Sequence, residues 1–263
     1  MSTLFKICFG IAAGLEFIFV PWFLKASRNG RCTKSQILKT ICATLFVAAG
    51  VLASVIAQNR SDYAHYILIG LLLGWCGDFL LHLPPKMPFT LSGGLAFLAG
   101  HVFYIYAYCL AMKRYFPDAP FWDKRELIAC AIIIVIGVAA IRLLGVKFSP
   151  LYIIGVPYVA MLAFMLVKAG SLGIKAVNVG LDNAVIMCIL LVGGAFLFAL
   201  SDMMLAVNSL RKPRPSYGYK ITCIVTYFTA QFLLASTIFV ISARLKAADP
   251  KGDSICLEQA HGI

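Results

Sequence analysis

Charge is what this sequence has least of. Only 13% of its 263 residues are Asp, Glu, Lys or Arg, about half the 25% expected of a soluble domain. Apolar residues make up 61%, and mean hydropathy is +0.90. One globular core cannot hide that much apolar surface. A soluble enzyme, a disordered chain, a coiled coil and a collagen-like fibre are therefore excluded. Acid is scarcer than base, with 11 Asp+Glu against 23 Lys+Arg and a net charge of +12. There is no stripe of interleaved basic and aromatic residues, so no nucleic-acid partner is expected. The basic residues are read instead against lipid headgroups.

Several chemical signatures are also lacking. The nine cysteines are an odd number, and no pair has Cys-x-x-Cys spacing. That argues against a disulfide framework and a zinc site. Histidines 65, 82, 101 and 261 have no metal-ligand spacing among themselves. There is no Gly-x-x-x-x-Gly-Lys phosphate loop and no Gly-x-Ser-x-Gly nucleophile elbow. No metal and no cofactor are expected.

What is present is a series of long apolar runs. A membrane span needs about 20 of them in a row. Eight are found, at 4–24, 37–57, 64–83, 88–112, 127–144, 150–168, 183–208 and 219–243. The fold expected is an all-α integral membrane protein of eight transmembrane helices over residues 1–243, with a polar tail at 244–263. The first run follows Lys6 as a signal peptide would. It carries Glu16 and no clear small-residue cleavage site, so it reads as a retained span. Asn59-Arg60-Ser61 is a glycosylation sequon too close to two spans to be used.

Eight spans put both termini on one side, A. Basic residues divide evenly between A and the opposite side, B, so the positive-inside rule does not decide orientation. Acids do separate the sides. Asp62, Asp118, Asp123, Glu126, Asp182, Asp249, Asp253 and Glu258 all fall on A, and no B loop holds one. Side B is a purely cationic face, suited to headgroups or to gathering phosphate-bearing substrates.

Three acids lie within spans: Glu16, Asp78 and Asp202. An Asp near a helix centre costs about 2.5–3.5 kcal/mol on insertion scales, so each needs a reason. No Lys or Arg sits in mid-span, which makes a simple buried ion pair hard to build except with a snorkelling residue. The three spans run in the same direction, and the acids lie roughly 8–12 Å below the B boundary. They are expected to form one layer, in which one carboxylic acid stands beside one carboxylate. His101 lies mid-span, followed by Tyr104, Tyr106 and Tyr108. Tyr104 and Tyr108 share its helix face and suggest a polar lining. His82, four residues after Asp78, is placed to shuttle a proton or to meet headgroups.

The third and seventh spans echo each other, in Gly77-Asp78-Phe79-Leu80-Leu81 and Ser201-Asp202-Met203-Met204-Leu205. The following spans match as well, with His101 opposite Gln231. A four-plus-four parallel repeat would explain this. Gly10-x-x-x-Gly14 and Gly70-x-x-x-Gly74 suggest close helix contacts.

Together these residues resemble a known family. Gly77-Asp78-x-x-Leu81, Gly100-His101-x-x-Tyr104, Ser201-Asp202-x-x-Leu205-Ala206-x-Asn208 and Tyr227-x-x-x-Gln231 look like the lysoplasmalogenase family, the YhhN-like multi-span proteins. The resemblance covers about residues 5–243; Glu16, His82 and the tail fall outside it. It implies hydrolysis of the vinyl ether bond of lysoplasmalogens, with a lysophospholipid substrate drawn from membrane lipids and a home in the endoplasmic reticulum. Vinyl ether hydrolysis needs one neutral acid and one carboxylate, the logic of glycoside hydrolysis. Asp78 and Asp202 are expected to take these roles. His101, Tyr104, Tyr227 and Gln231 would orient water or glycerol oxygens, and Asn208 and His82 would meet the headgroup end. The alternative is a proton-coupled lipid or small-molecule transporter that uses the same acids as a relay.

Overall fold

The structure, a computed structural model, describes residues 2–58, 61–84, 86–145, 150–181, 183–210 and 216–248. The sequon residues Asn59 and Arg60, the basic residues Lys147, Arg211, Lys212 and Arg214, and most of the tail lie outside them. Among the described residues there are eight α-helices and no strand. They are α1 (Ser2–Ala26), α2 (Thr33–Ile56), α3 (Asp62–His82), α4 (Met87–Tyr115), α5 (Lys124–Leu143), α6 (Pro150–Asn178), α7 (Ala184–Leu210) and α8 (Tyr217–Ala248). All eight are long and apolar enough to cross a membrane.

Local chemistry starts several of them. Ser61 accepts the Ala64 N–H at the head of α3. At the head of α5, Asp123 and Glu126 form a reciprocal capping box, and Cys32 and Ser35 do the same for α2. Each device satisfies amides that the first turn would otherwise leave unbonded.

Helix contacts close a ring: α2 meets α3, α3 meets α4, α4 meets α6, α6 meets α7, α7 meets α8, and α8 returns to α2. Contact between α3 and α8 crosses the ring. The helix α1 lies outside against α2, and α5 lies outside against α6. Outward faces carry large apolar side chains such as Phe17, Trp22, Ile132 and Val135, the surface that a hydrocarbon solvent requires.

Small residues set the closest approaches. A Cβ on Gly70 would stand 2.3 Å from the Tyr104 ring, and one on Gly74 would stand 2.6 Å from Nε2 of Gln231. These two glycines make room for site residues. Gly10 and Gly14 face open space instead, with nothing within 4 Å, so that half of the small-residue expectation is overturned.

Helix ends fall within about five residues of the expected spans, α8 running on to Ala248, except at α6. The apolar run was expected to end at Lys168, but the helix continues to Asn178. Lys168 is buried well inside it, contrary to the expectation that basic residues keep to span ends. Its charge is met by Glu126 at 2.9 Å and by the Phe121 carbonyl.

Candidate active site

Asp78 and Asp202 are both buried, on α3 and α7. Each has its own partners. Asp78 forms an ion pair with Lys39 of α2, Nζ to Oδ1 at 2.9 Å. Its Oδ2 accepts from the Tyr227 hydroxyl of α8 at 2.8 Å. Asp202 takes both of its bonds on Oδ2, from His101 Nε2 of α4 at 3.1 Å and from Tyr158 of α6 at 2.5 Å. The ion pair at Asp78 is made in the one way the sequence left open, by a lysine from near a span end. Lys39 is only six residues past the start of α2, but its long stem turns inward rather than snorkelling to the surface.

Behind Asp78 runs a bonded line of side chains. Tyr104 donates to Oε1 of Gln231 at 3.1 Å, and Gln231 Nε2 donates to the Tyr227 oxygen at 3.0 Å. Tyr227 then donates to Asp78. Polar side chains buried in a membrane bundle need such partners, because lipid offers none.

Aromatic rings join the two carboxyl groups. Phe198 of α7 packs edge-on against His101, with centroids 4.7 Å apart, and against Tyr227 at 5.6 Å. Phe97 lies against Phe198 and Tyr227. Gly77 has no side chain because Phe97 takes that space, a Cβ there falling 2.6 Å from its ring.

Two polar groups here have no hydrogen-bond partner. Nδ1 of His101 is buried and unbonded, and so are both carboxyl oxygens of Glu16. Glu16 lies within electrostatic reach of Asp78, as Asp202 does. The three acids therefore share a neighbourhood, as their depth suggested, although Asp78 and Asp202 share no hydrogen bond. Burying a polar atom unbonded costs about 1–3 kcal/mol, so each such group calls for an explanation, a catalytic role among them.

The other expected residues are placed as follows. Tyr104, Tyr227 and Gln231 join Asp78, and His101 joins Asp202. His82 is turned to Ser35, Nε2 to Oγ at 2.7 Å, with its ring against Phe23. Asn208 is half-buried two turns past Asp202 and takes no part in these bonds. Tyr108 is buried with an unbonded hydroxyl, while Tyr106 is exposed against Tyr66. Sequence reasoning missed Lys39 and Tyr158. A proline inside a span beside a tyrosine, Pro157-Tyr158, was the available signal for the second. Among the described residues no group of His, Cys, Asp and Glu is placed to hold a metal.

Comparison with known proteins agrees with this architecture. A family model, the YhhN family, matches residues 35–238. The chain belongs to that family, which includes lysoplasmalogenases. The match begins in α2, so α1 and Glu16 precede it. No curated protein and no solved structure matches.

Proposed function

We propose that this protein hydrolyses the vinyl ether bond of lysoplasmalogens, releasing a fatty aldehyde and the glycerophospho-base. The observation that carries this reading is the pair of buried, differently partnered Asp residues beside the unbonded Nδ1 of His101. Family membership supports the same chemistry.

The reaction needs a proton on the outer alkene carbon. The alkene π electrons form the new C–H bond, and the ether carbon becomes an oxocarbenium ion. Asp202 and His101 form the proton-delivering side: Nε2 is held by Asp202, and Nδ1, which bonds to nothing else, carries the transferable proton when the imidazole is charged. Asp78, kept in an ion pair with Lys39, supplies the carboxylate that faces the cation and takes a proton from attacking water. Water adds to the cationic carbon and gives a hemiacetal. The hemiacetal collapses with cleavage of the carbon–glycerol-oxygen bond: the glycerol oxygen takes the proton that Asp78 holds, and the hemiacetal hydroxyl gives its proton back to His101, which restores both groups. The aromatic wall of Phe97, Phe198 and Tyr227 gives the cation flanking π density.

The test is aldehyde release by purified protein, with a chelator present throughout, beside Asp78→Asn and Asp202→Asn. Release by wild type that vanishes in both folded variants supports the reading. Release that survives both overturns the carboxyl mechanism. No release by folded wild type overturns the activity, and proton-dependent flux in vesicles would then identify a transporter.

A further inference from the structure

At side B the last turns of α1 and the first turns of α2 leave a groove of about 560 Å³ between them. Trp22, Lys25 and Ala26 line it from α1, and Lys34, Ile37 and Leu38 line it from α2. The volume lies within the range of about 300–1,000 Å³ that small-molecule sites occupy. A tight connection sets the width of the groove. Residues 27–32 join the two helices, with Gly30 at a φ of +129°. The Cys32 thiol donates to the Ala26 carbonyl at 3.6 Å and accepts the Ser35 N–H at 3.4 Å. Leu38 is buried and forms the floor. Trp22 stands edge-on against Phe19, with centroids 5.8 Å apart. Trp22 and Ile37 are 58% and 55% exposed, so the groove opens outward to lipid and not into the ring that holds Asp78 and Asp202.

The lining is ordered by depth. Lys25 and Lys34 stand at the outer end. Trp22 comes three residues before Lys25 and Ile37 three after Lys34, so both lie about 4.5 Å deeper. Charge at the surface over apolar walls is the pattern of a phospholipid, headgroup outward and chain inward. Tryptophan is itself enriched at this level of a membrane. The two charges are not answered within the protein. Among the described residues neither ammonium is paired with an acid. The sequence has no acid between Glu16 and Asp62. Glu16 is nine residues before Lys25, about 14 Å down the helix, and is buried with both oxygens unbonded. Asp78 is taken by Lys39, and Asp202 by His101 and Tyr158. The neighbouring cations turn elsewhere, Arg28 over the Tyr217 ring and Arg31 to the Leu83 carbonyl. A zwitterionic headgroup would bring a further ammonium to this place. An anionic headgroup brings only the missing charge.

We propose that this groove binds an anionic phospholipid of the B leaflet, with its phosphate between Lys25 and Lys34 and an acyl chain against Trp22, Ile37 and Leu38. Four of the six lining residues precede the segment that the family model matches, so family membership does not imply the site. The bound lipid is a staple between α1 and α2, touching both helices along the seam that their side chains leave open. It is separate from the two Asp residues and does not depend on aldehyde release.

The experiment follows tryptophan fluorescence of the full chain in phosphatidylcholine vesicles, quenched by lipids with brominated acyl chains. Trp22 is one of three tryptophans, and its share is the part of the signal lost in Trp22→Phe. Brominated phosphatidylglycerol should quench that share at a mole fraction about twentyfold lower than brominated phosphatidylcholine. Lys25→Gln and Lys34→Gln should each reduce this preference about fivefold, and the double variant should lose it. Lys34→Arg should keep it. Ala26→Leu fills part of the groove and should weaken quenching by both lipids. Arg142→Gln removes a basic residue from the same face at the end of the outlying α5, and it should match wild type. Equal quenching by the two lipids in wild type would mean an ordinary annular lipid and would overturn the proposal. So would a preference that survives the double variant. A preference that Arg142→Gln lowers as much as Lys25→Gln does would mean a general surface charge only, and would overturn it as well.

Discussion

Among the described residues, two lysine–carboxylate pairs are buried, one toward each side, and both close at 2.9 Å. Their surroundings differ. On side A, Lys168 meets Glu126, donates to the Phe121 carbonyl and lies 4.6 Å from the Trp122 ring centre. Glu126 also accepts the Asp123 N–H in the capping box of α5. This network is closed, and it fastens the outlying α5 to α6. On side B, Lys39 meets Asp78 beside a Glu16 with two unbonded oxygens and within the same bundle as a half-bonded His101. The same ion pair is a fastening where its neighbours are satisfied and a site where they are not.

Breaking each pair should separate the two roles. The largest effect expected is on turnover in Asp78→Asn. Aldehyde release per folded molecule should fall a thousandfold or more, about 4 kcal/mol of transition-state stabilisation, beyond whatever stability is lost by leaving Lys39 without its counter-charge. Lys168→Met should do the reverse. It strands Glu126, so unfolding stability should drop by about 3–5 kcal/mol, read in detergent melts, with turnover per folded molecule little changed. An equal loss of turnover in both would erase the contrast.

Smaller effects sharpen the comparison. Gly74→Ala pushes a methyl group against the Gln231 amide. It should cost about 1–3 kcal/mol of stability and lower turnover. Gly14→Ala, which meets nothing, should leave both unchanged. The smallest concerns sidedness. Cys32 is exposed before α2, and the Ser35 N–H, then the Ser35 hydroxyl, hold its thiol below the usual thiol range. More thiolate at neutral pH means that Cys32 should react with an impermeant maleimide before the cysteines within the spans. Labelling of sealed vesicles then shows which membrane face is B, and with it the side of the cationic face.

Much of this was legible in the sequence, for a physical reason. A polar residue in an apolar run is conspicuous, because lipid cannot satisfy it. Asp78, His101, Asp202 and Gln231 stood out in that way, and the bundle gathers them. Lys39 did not, since a lysine near a span end looks like a headgroup contact whichever way its stem turns. Tyr158 did not, because a tyrosine in a span is ordinary until something accepts its proton. Lys168 misled more actively. Its charge ended the predicted span, yet the helix continues because Glu126, forty-two residues away in sequence, meets that charge. Partners so distant leave no local trace.

The line from Tyr104 to Asp78 has a direction. Every proton in it points toward the carboxylate: tyrosine to amide oxygen, amide nitrogen to tyrosine, tyrosine to Asp78. An amide accepts at one end and donates at the other, but it does not readily pass a proton from its oxygen to its nitrogen. Gln231 therefore acts as an insulator in the line. It fixes Tyr227 as a donor and closes this line to proton traffic, so that a proton exchanged at Asp78 does not come from Tyr104.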